Sequence, residues 1–243
     1  MAADAVWLLI IPAFVLGGTV KGALGVGLPL VTVPLLSLWL PIPQAIGLMV
    51  MPVLLSNLIQ SREGAGLRRN VRRFAGMILS QFVMTVLVVK MTLSWSPSQL
   101  EFMVALSLLV AVALMAFTPN FEIGPRREAV ASVAVGAASG VLGGISSLTG
   151  PLVISYLMAL KLERDAFIGS ISVIYLSGAI PLYAAMLYFG RIGMGDVWLS
   201  CLALVPMGVG LLMGRALRKR LNEVLFRKIL LLLLVMLAVL LLL

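Results

Sequence analysis

The chain has 243 residues, 62% of them hydrophobic and 11% charged, with a mean hydropathy of +1.16. Soluble domains of average usage carry about 45–50% apolar and about 25% charged residues, so this composition excludes a soluble globular domain and assigns the chain to a bilayer. The net charge of +9 sits in short loops between apolar runs, which is the positive-inside pattern of a membrane protein and not a nucleic-acid footprint.

The first Lys or Arg is Lys21, so no basic n-region opens the chain, and the N-terminus reads as part of the mature membrane domain. Residues 5–40 are apolar but interrupted, within GTVKGALGVGLPLVTVPLL (18–36), by glycines and prolines. Apolar runs follow at 44–60, 74–92 and 100–117, each close to the ~20 residues that cross a ~30 Å hydrocarbon core. A second interrupted stretch, 129–160, contains GVLGGISSLTGPLVISYLMAL (140–160), and runs at 166–189, 197–214 and 224–243 complete the chain. The alternating segments of a membrane β-barrel do not occur, so the expected fold is an all-α polytopic membrane protein. Cys201 lies inside an apolar run and, as the single cysteine, forms no intrachain disulfide.

Loop charge sets the expected topology. Fifteen of the eighteen Lys and Arg residues fall at 62–73, 126–127, 161–164 and 215–228, and placing these in the cytoplasm leaves Lys90 and Arg191 near the opposite face. Both termini are then periplasmic, and each interrupted stretch must begin and end on one side. A re-entrant hairpin and a pair of short helices both satisfy this. Each half, 1–118 and 119–243, then comprises one hairpin and three spans, and the second half is inverted relative to the first. Sequence identity supports the division: a shift of 122 aligns Pro29 with Pro151, Ile46 with Ile168 and Gly47 with Gly169, and a shift of 118 aligns Gly22 and Gly25 with Gly140 and Gly143.

Paired interruptions in the two halves of a membrane protein point to a transporter's substrate site. Broken backbone at membrane depth is tolerated only where protein or a watery cavity covers it, and a break that exposes a helix N-terminus favours an anion. The candidate substrate-binding residues are Lys21, Gly22, Gly25, Gly27 and Pro29 in the first break. In the second they are Gly143, Gly144, Ser146, Ser147, Thr149, Gly150 and Pro151. Lys21 is a cation within an apolar segment, where an ionisable side chain marks function by default, and the hydroxyls of the SSLTG turn can donate to an oxyanion. Asn57, Gln81, Tyr156, Tyr175 and Ser177 are further polar residues inside spans and candidate pore-lining groups. Small residues that let helices pack closely are the competing reading of each glycine. The chain has no His, no metal-ligand cluster, no P-loop and no nucleophile–base pair, so neither an enzyme, a metal nor a cofactor is expected.

At GTVKGALGVGLPLVTVPLL, at GVLGGISSLTGPLVISYLMAL and in the Arg-rich loop after the first quarter, the chain resembles the TauE/SafE family of sulfite and organosulfur anion exporters. The resemblance covers nearly the whole chain. It implies a bacterial inner-membrane protein of two similar halves whose partner is a small sulfur-containing anion such as sulfite or an organosulfonate. Two alternatives stay open: a proton-coupled carrier of the same anions, with Glu101 or Lys21 titrating, and a membrane scaffold that carries no solute. Composition and charge leave the oligomeric state open.

Overall fold

The computed structural model describes residues 3–63, 67–116, 122–218 and 223–242. The expected division at 118/119, residues 117 and 243 at two span ends, and Lys219 and Arg220 of the last basic loop lie outside them. The described residues are helical, with no strand, and six helices are long and apolar enough to cross a membrane, seven if one bent pair counts as a span. The chain is therefore an all-α polytopic membrane protein.

The first interrupted stretch is a helical hairpin of α1 (Ala3–Leu24) and α2 (Leu28–Ser37). α1 stops where Gly25 and Gly27 take left-handed φ values of 81° and 98°, which cost little only without a Cβ. α2 restarts with Pro29 in its first turn, where a missing N–H is no loss. α2 then runs back along α1, with the Thr32 hydroxyl donating to the Ala13 carbonyl at 3.4 Å in space that Gly17 leaves open. Next come α3 (Ile42–Gly47), α4 (Val50–Glu63), the short basic α5 (Leu67–Arg73), α6 (Ala75–Met91) with a 3-10 turn at Thr92–Ser94, and α7 (Pro97–Ala116).

A second hairpin follows. α8 (Pro125–Ser146) and α9 (Gly150–Ala159) form a hairpin, broken where Ser147 takes a left-handed φ of 62° and donates its N–H to the Gly143 carbonyl at 2.8 Å. The Ile123 N–H donates to the Ala159 carbonyl at 3.0 Å, so α9 ends beside the start of α8. α10 (Arg164–Tyr188), α11 (Met194–Leu202), α12 (Leu204–Arg218) and α13 (Glu223–Leu242) follow. In both hairpins one arm has 22 residues and the other 10. The short arm is therefore roughly 15 Å long, about half a hydrocarbon core.

One span expected as a single run is divided, and another keeps the length of one span, Ile42–Ser61, with a local turn. The 197–214 run is divided into α11 and α12, bent by 42° at Ala203, and the 44–60 run turns at Leu48 and Met49. Each break lies just ahead of a proline, Pro206 and Pro52 respectively. Proline withdraws the N–H that would bond the carbonyl four residues back, and its ring crowds that carbonyl.

Two close helix pairs hold the hairpins. α1 lies along α12, with Gly18 and Gly22 against Gly210 and Gly214, and α8 lies along α6 through Gly136, Gly140 and Gly144. α4 packs on α10, and α7 on α13. Large apolar side chains such as Leu79, Phe82 and Leu232 are exposed, while Thr32, Asn57, Gln81 and Ser146 are buried, as expected of a bundle whose solvent is lipid. Ion pairs tie the start of α8 and the residues ahead of it to two basic segments: Arg73 pairs with Glu128 at 2.7 Å and Lys161 with Glu122 at 2.5 Å. The hydrogen bond to Glu128 holds the Arg73 guanidinium above its ordinary pKa. These pairs are partly exposed and contribute at most about 1 kcal/mol each.

Candidate substrate cavity between the two helix breaks

The two breaks face one cavity. Leu24 and Val26 to Leu30 line one side, Ser147 to Pro151 the other, and Val53 and Asn57 of α4 and Tyr175, Gly178 and Leu182 of α10 close it. Its interior offers water centres about 50 Å³. At 10–15 Å³ per water this is room for about three to five waters, the bulk of a small oxyanion.

Lys21 provides the charge. Its side chain projects from the last turn of α1 and is 6% exposed, and its Nζ donates to Asn57 Oδ1 at 2.9 Å. That bond uses one of three ammonium donors, leaving two for a ligand. One helical turn beyond Asn57, Gln60 Nε2 donates to the Gly25 carbonyl at 3.3 Å, so one face of α4 clamps the first break at two points.

The helix ends add to this field. α2 and α9 both start at the cavity wall, and neither has a side-chain cap at its N-terminus. First-turn N–H groups have no acceptor within the helix, and with the dipole they present partial positive charge. Among the described residues, no Asp or Glu lines the cavity. The Tyr175 hydroxyl is buried with no hydrogen-bond partner among the described residues, 2.9 Å from where a Cβ on Gly150 would sit. An unpaired buried hydroxyl costs about 1–3 kcal/mol, a cost that an acceptor in the cavity would offset. Tyr175→Phe is accordingly expected to raise the half-saturating anion concentration about tenfold while the unfolding temperature of the empty protein holds or rises. Transport kinetics together with thermal unfolding check both halves of that statement.

The structure thus brings Lys21, Gly27, Pro29, Gly143, Ser147, Thr149, Gly150 and Pro151 to one cavity, with Asn57 and Tyr175. It places the other candidates elsewhere. Gly22 faces the backbone of α12, Gly25 sits in the first break behind the lining, and Gly144 packs on Val88. The Ser146 hydroxyl donates back to the Leu142 carbonyl at 2.8 Å, and that of Ser177 to the Ile174 carbonyl at 2.9 Å. Tyr156 lies at the base of the second hairpin, edge-on to Phe74 and near the Glu128 carbonyl. The Gln81 carboxamide is fully buried against Gly178, on the far side of the cavity wall. Gln60 and Gly178 went unnoticed in the sequence. The Asn57–Gln60 spacing, which puts two carboxamides on one helix face, is the signal for the first; Gly178 had none.

A polytopic helical protein with a cation-bearing cavity between two broken helices has the construction of a solute carrier. The family model described as "Sulfite exporter TauE/SafE" matches residues 10–241, and the chain belongs to that family. It is a multi-pass membrane transport protein. No curated protein and no solved structure matches it.

Proposed function

We propose that the chain is a permease that exports a small sulfur-containing anion, sulfite or an organosulfonate, from the cytoplasm through the cavity between the two breaks. The observation that carries this reading is the pairing of the Lys21 ammonium with two uncapped helix N-termini around a cavity that, among the described residues, no carboxylate lines. In such a site a tetrahedral or pyramidal oxyanion meets donors on several sides and no like charge.

The two halves act as inverted repeats in the inner membrane, with both termini periplasmic. The pairing of α1 with α12 and of α8 with α6 supports the repeat, because it matches the long arm of each hairpin with the penultimate span of the opposite half. Alternating access then consists of rocking these pairs about a fixed site. An anion leaving a negative interior gains ~2.3 kcal/mol per charge per 100 mV, so export proceeds without a coupling ion.

Proteoliposomes loaded with radiolabelled sulfite test the proposal. Efflux is expected to saturate with sulfite and to rise with an inside-negative potential set by a potassium gradient and valinomycin. Efflux equal to that of protein-free vesicles refutes it in favour of a scaffold. Flux driven by a pH gradient at zero potential replaces uniport with proton coupling.

A further inference from the structure

A second, smaller cavity lies on the other side of the second break. Gly143 and Ser147 border the first cavity, whereas Gly144 and Ile145, between them in sequence, border the second. The same handover occurs along α10, where Leu182 faces the first cavity and Met186, one turn on, the second. Ile145, Met186 and Val89 are buried, line the second cavity and belong to the same apolar cluster as Leu182 and Ala179 of the first cavity's wall, so buried apolar side chains separate the two spaces. An anion passing between them without hydrogen-bond partners faces a large desolvation cost.

Arg191, in the turn after α10, also lines this second cavity. It donates to the backbone carbonyl of Thr92, at the end of α6. A guanidinium has five N–H donors, and among the described residues Arg191 has no ion pair with a carboxylate. The acid nearest in sequence, Asp196, instead accepts from the Gly193 N–H at 2.8 Å. A partly buried guanidinium therefore faces a cavity with donors to spare and no counter-charge. The cavity offers water centres only about 10 Å³, room for about one water, so an anion enters only when the surrounding helices separate.

We infer that the Arg191 cavity is a second anion-binding station on the exit path, which receives an oxyanion or sulfonate from the Lys21 site when these apolar side chains part. This rests on the permease reading for the direction of travel, but the station's affinity for anions does not. The Arg191–Thr92 bond holds α6 to the α10–α11 turn while the exit is shut, and the arriving anion competes for the same guanidinium.

The test uses the full chain in proteoliposomes with Cys201→Ser and a reporter thiol, Ser94→Cys, at an exposed residue of the turn that carries Thr92. Modification by the anionic 2-sulfonatoethyl methanethiosulfonate is compared with modification by its trimethylammonioethyl counterpart, with Arg191 and with Arg191→Gln. With Arg191 the anionic reagent is expected to gain about fivefold over the cationic one, and external methanesulfonate is expected to abolish that preference saturably. A preference that survives Arg191→Gln, or that methanesulfonate reduces only as much as gluconate at equal ionic strength, overturns the station. In sulfite exchange, Arg191→Gln is expected to raise the external half-saturating concentration about tenfold and leave the internal one within about twofold. Equal changes on both sides also overturn it. Vesicles that carry no sulfite refute the permease, and the thiol comparison still decides Arg191.

Discussion

Lys21→Met is expected to cut sulfite flux by about two orders of magnitude and to leave the chain folded. A hydrogen bond to a charged group contributes about 1.5–3 kcal/mol, equivalent to roughly 10- to 150-fold, and the Lys21 ammonium adds Coulombic attraction in a site shielded from bulk water. Stability moves the other way. Lys21 is 6% exposed, and among the described residues its hydrogen-bond partner is the Asn57 carboxamide, so the folded protein carries a desolvation cost with little return. Methionine fills similar volume without that cost, and the unfolding temperature should hold or rise. Asn57→Ala separates positioning from charge: the cation stays but loses its anchor, so flux falls less than in Lys21→Met. Proteoliposome flux and thermal unfolding, measured on the same preparations, check the pair. Unchanged flux in a folded Lys21→Met protein removes Lys21 from the site.

The parts of this fold that were legible in the sequence are those written in hydropathy and in residue types with one dominant consequence. The run at 74–92 corresponds to α6, and that at 166–189 to α10, because lipid allows no polar interruption on an exposed face. Gly25, Gly27 and Pro29 marked the first break. In the second break Gly143, Gly144, Gly150 and Pro151 repeat the signal, but Ser147 holds the left-handed position, which a serine does not announce. The unequal arms of the hairpins were not legible, because composition registers an interruption without fixing how far along a helix it falls. The breaks ahead of Pro52 and Pro206 left a signal, yet Pro181 sits within α10 without ending it, so proline alone does not separate a kink from a tolerated ring. Within the candidate site, residue type was more legible than orientation. Lys21 and Gly22 are neighbours, but successive helical positions are about 100° apart, so one faces the cavity and the other the next helix.

That divergence sets the second large prediction, which concerns folding. Gly22→Ala is expected to damage the protein through the α1–α12 contact and not through anion binding. A Cβ at residue 22 would overlap the Leu211 carbonyl and lie 3.0 Å from both the Arg215 nitrogen and the Gly214 Cα. These are backbone atoms, which no rotamer change can move aside, so the helices must separate along the whole stripe that includes Gly18 and Gly210. Overpacking of this kind costs about 1–3 kcal/mol, and at about 2–4 °C per kcal/mol for a chain of this size the melting point should fall by several degrees. The surviving folded fraction should bind and move the anion with unaltered half-saturation. Gly214→Ala meets the opposite wall of the same contact, against the Thr19 carbonyl and the Gly22 Cα. Once either substitution has pushed the helices apart, the other has less left to disturb, so the double variant should lose less stability than the sum of the two singles. A double-mutant cycle on thermal or denaturant unfolding measures that coupling, expected at about 0.5–3 kcal/mol. A Gly22→Ala protein with unchanged stability and weakened anion affinity would instead return residue 22 to the cavity and make the stripe incidental.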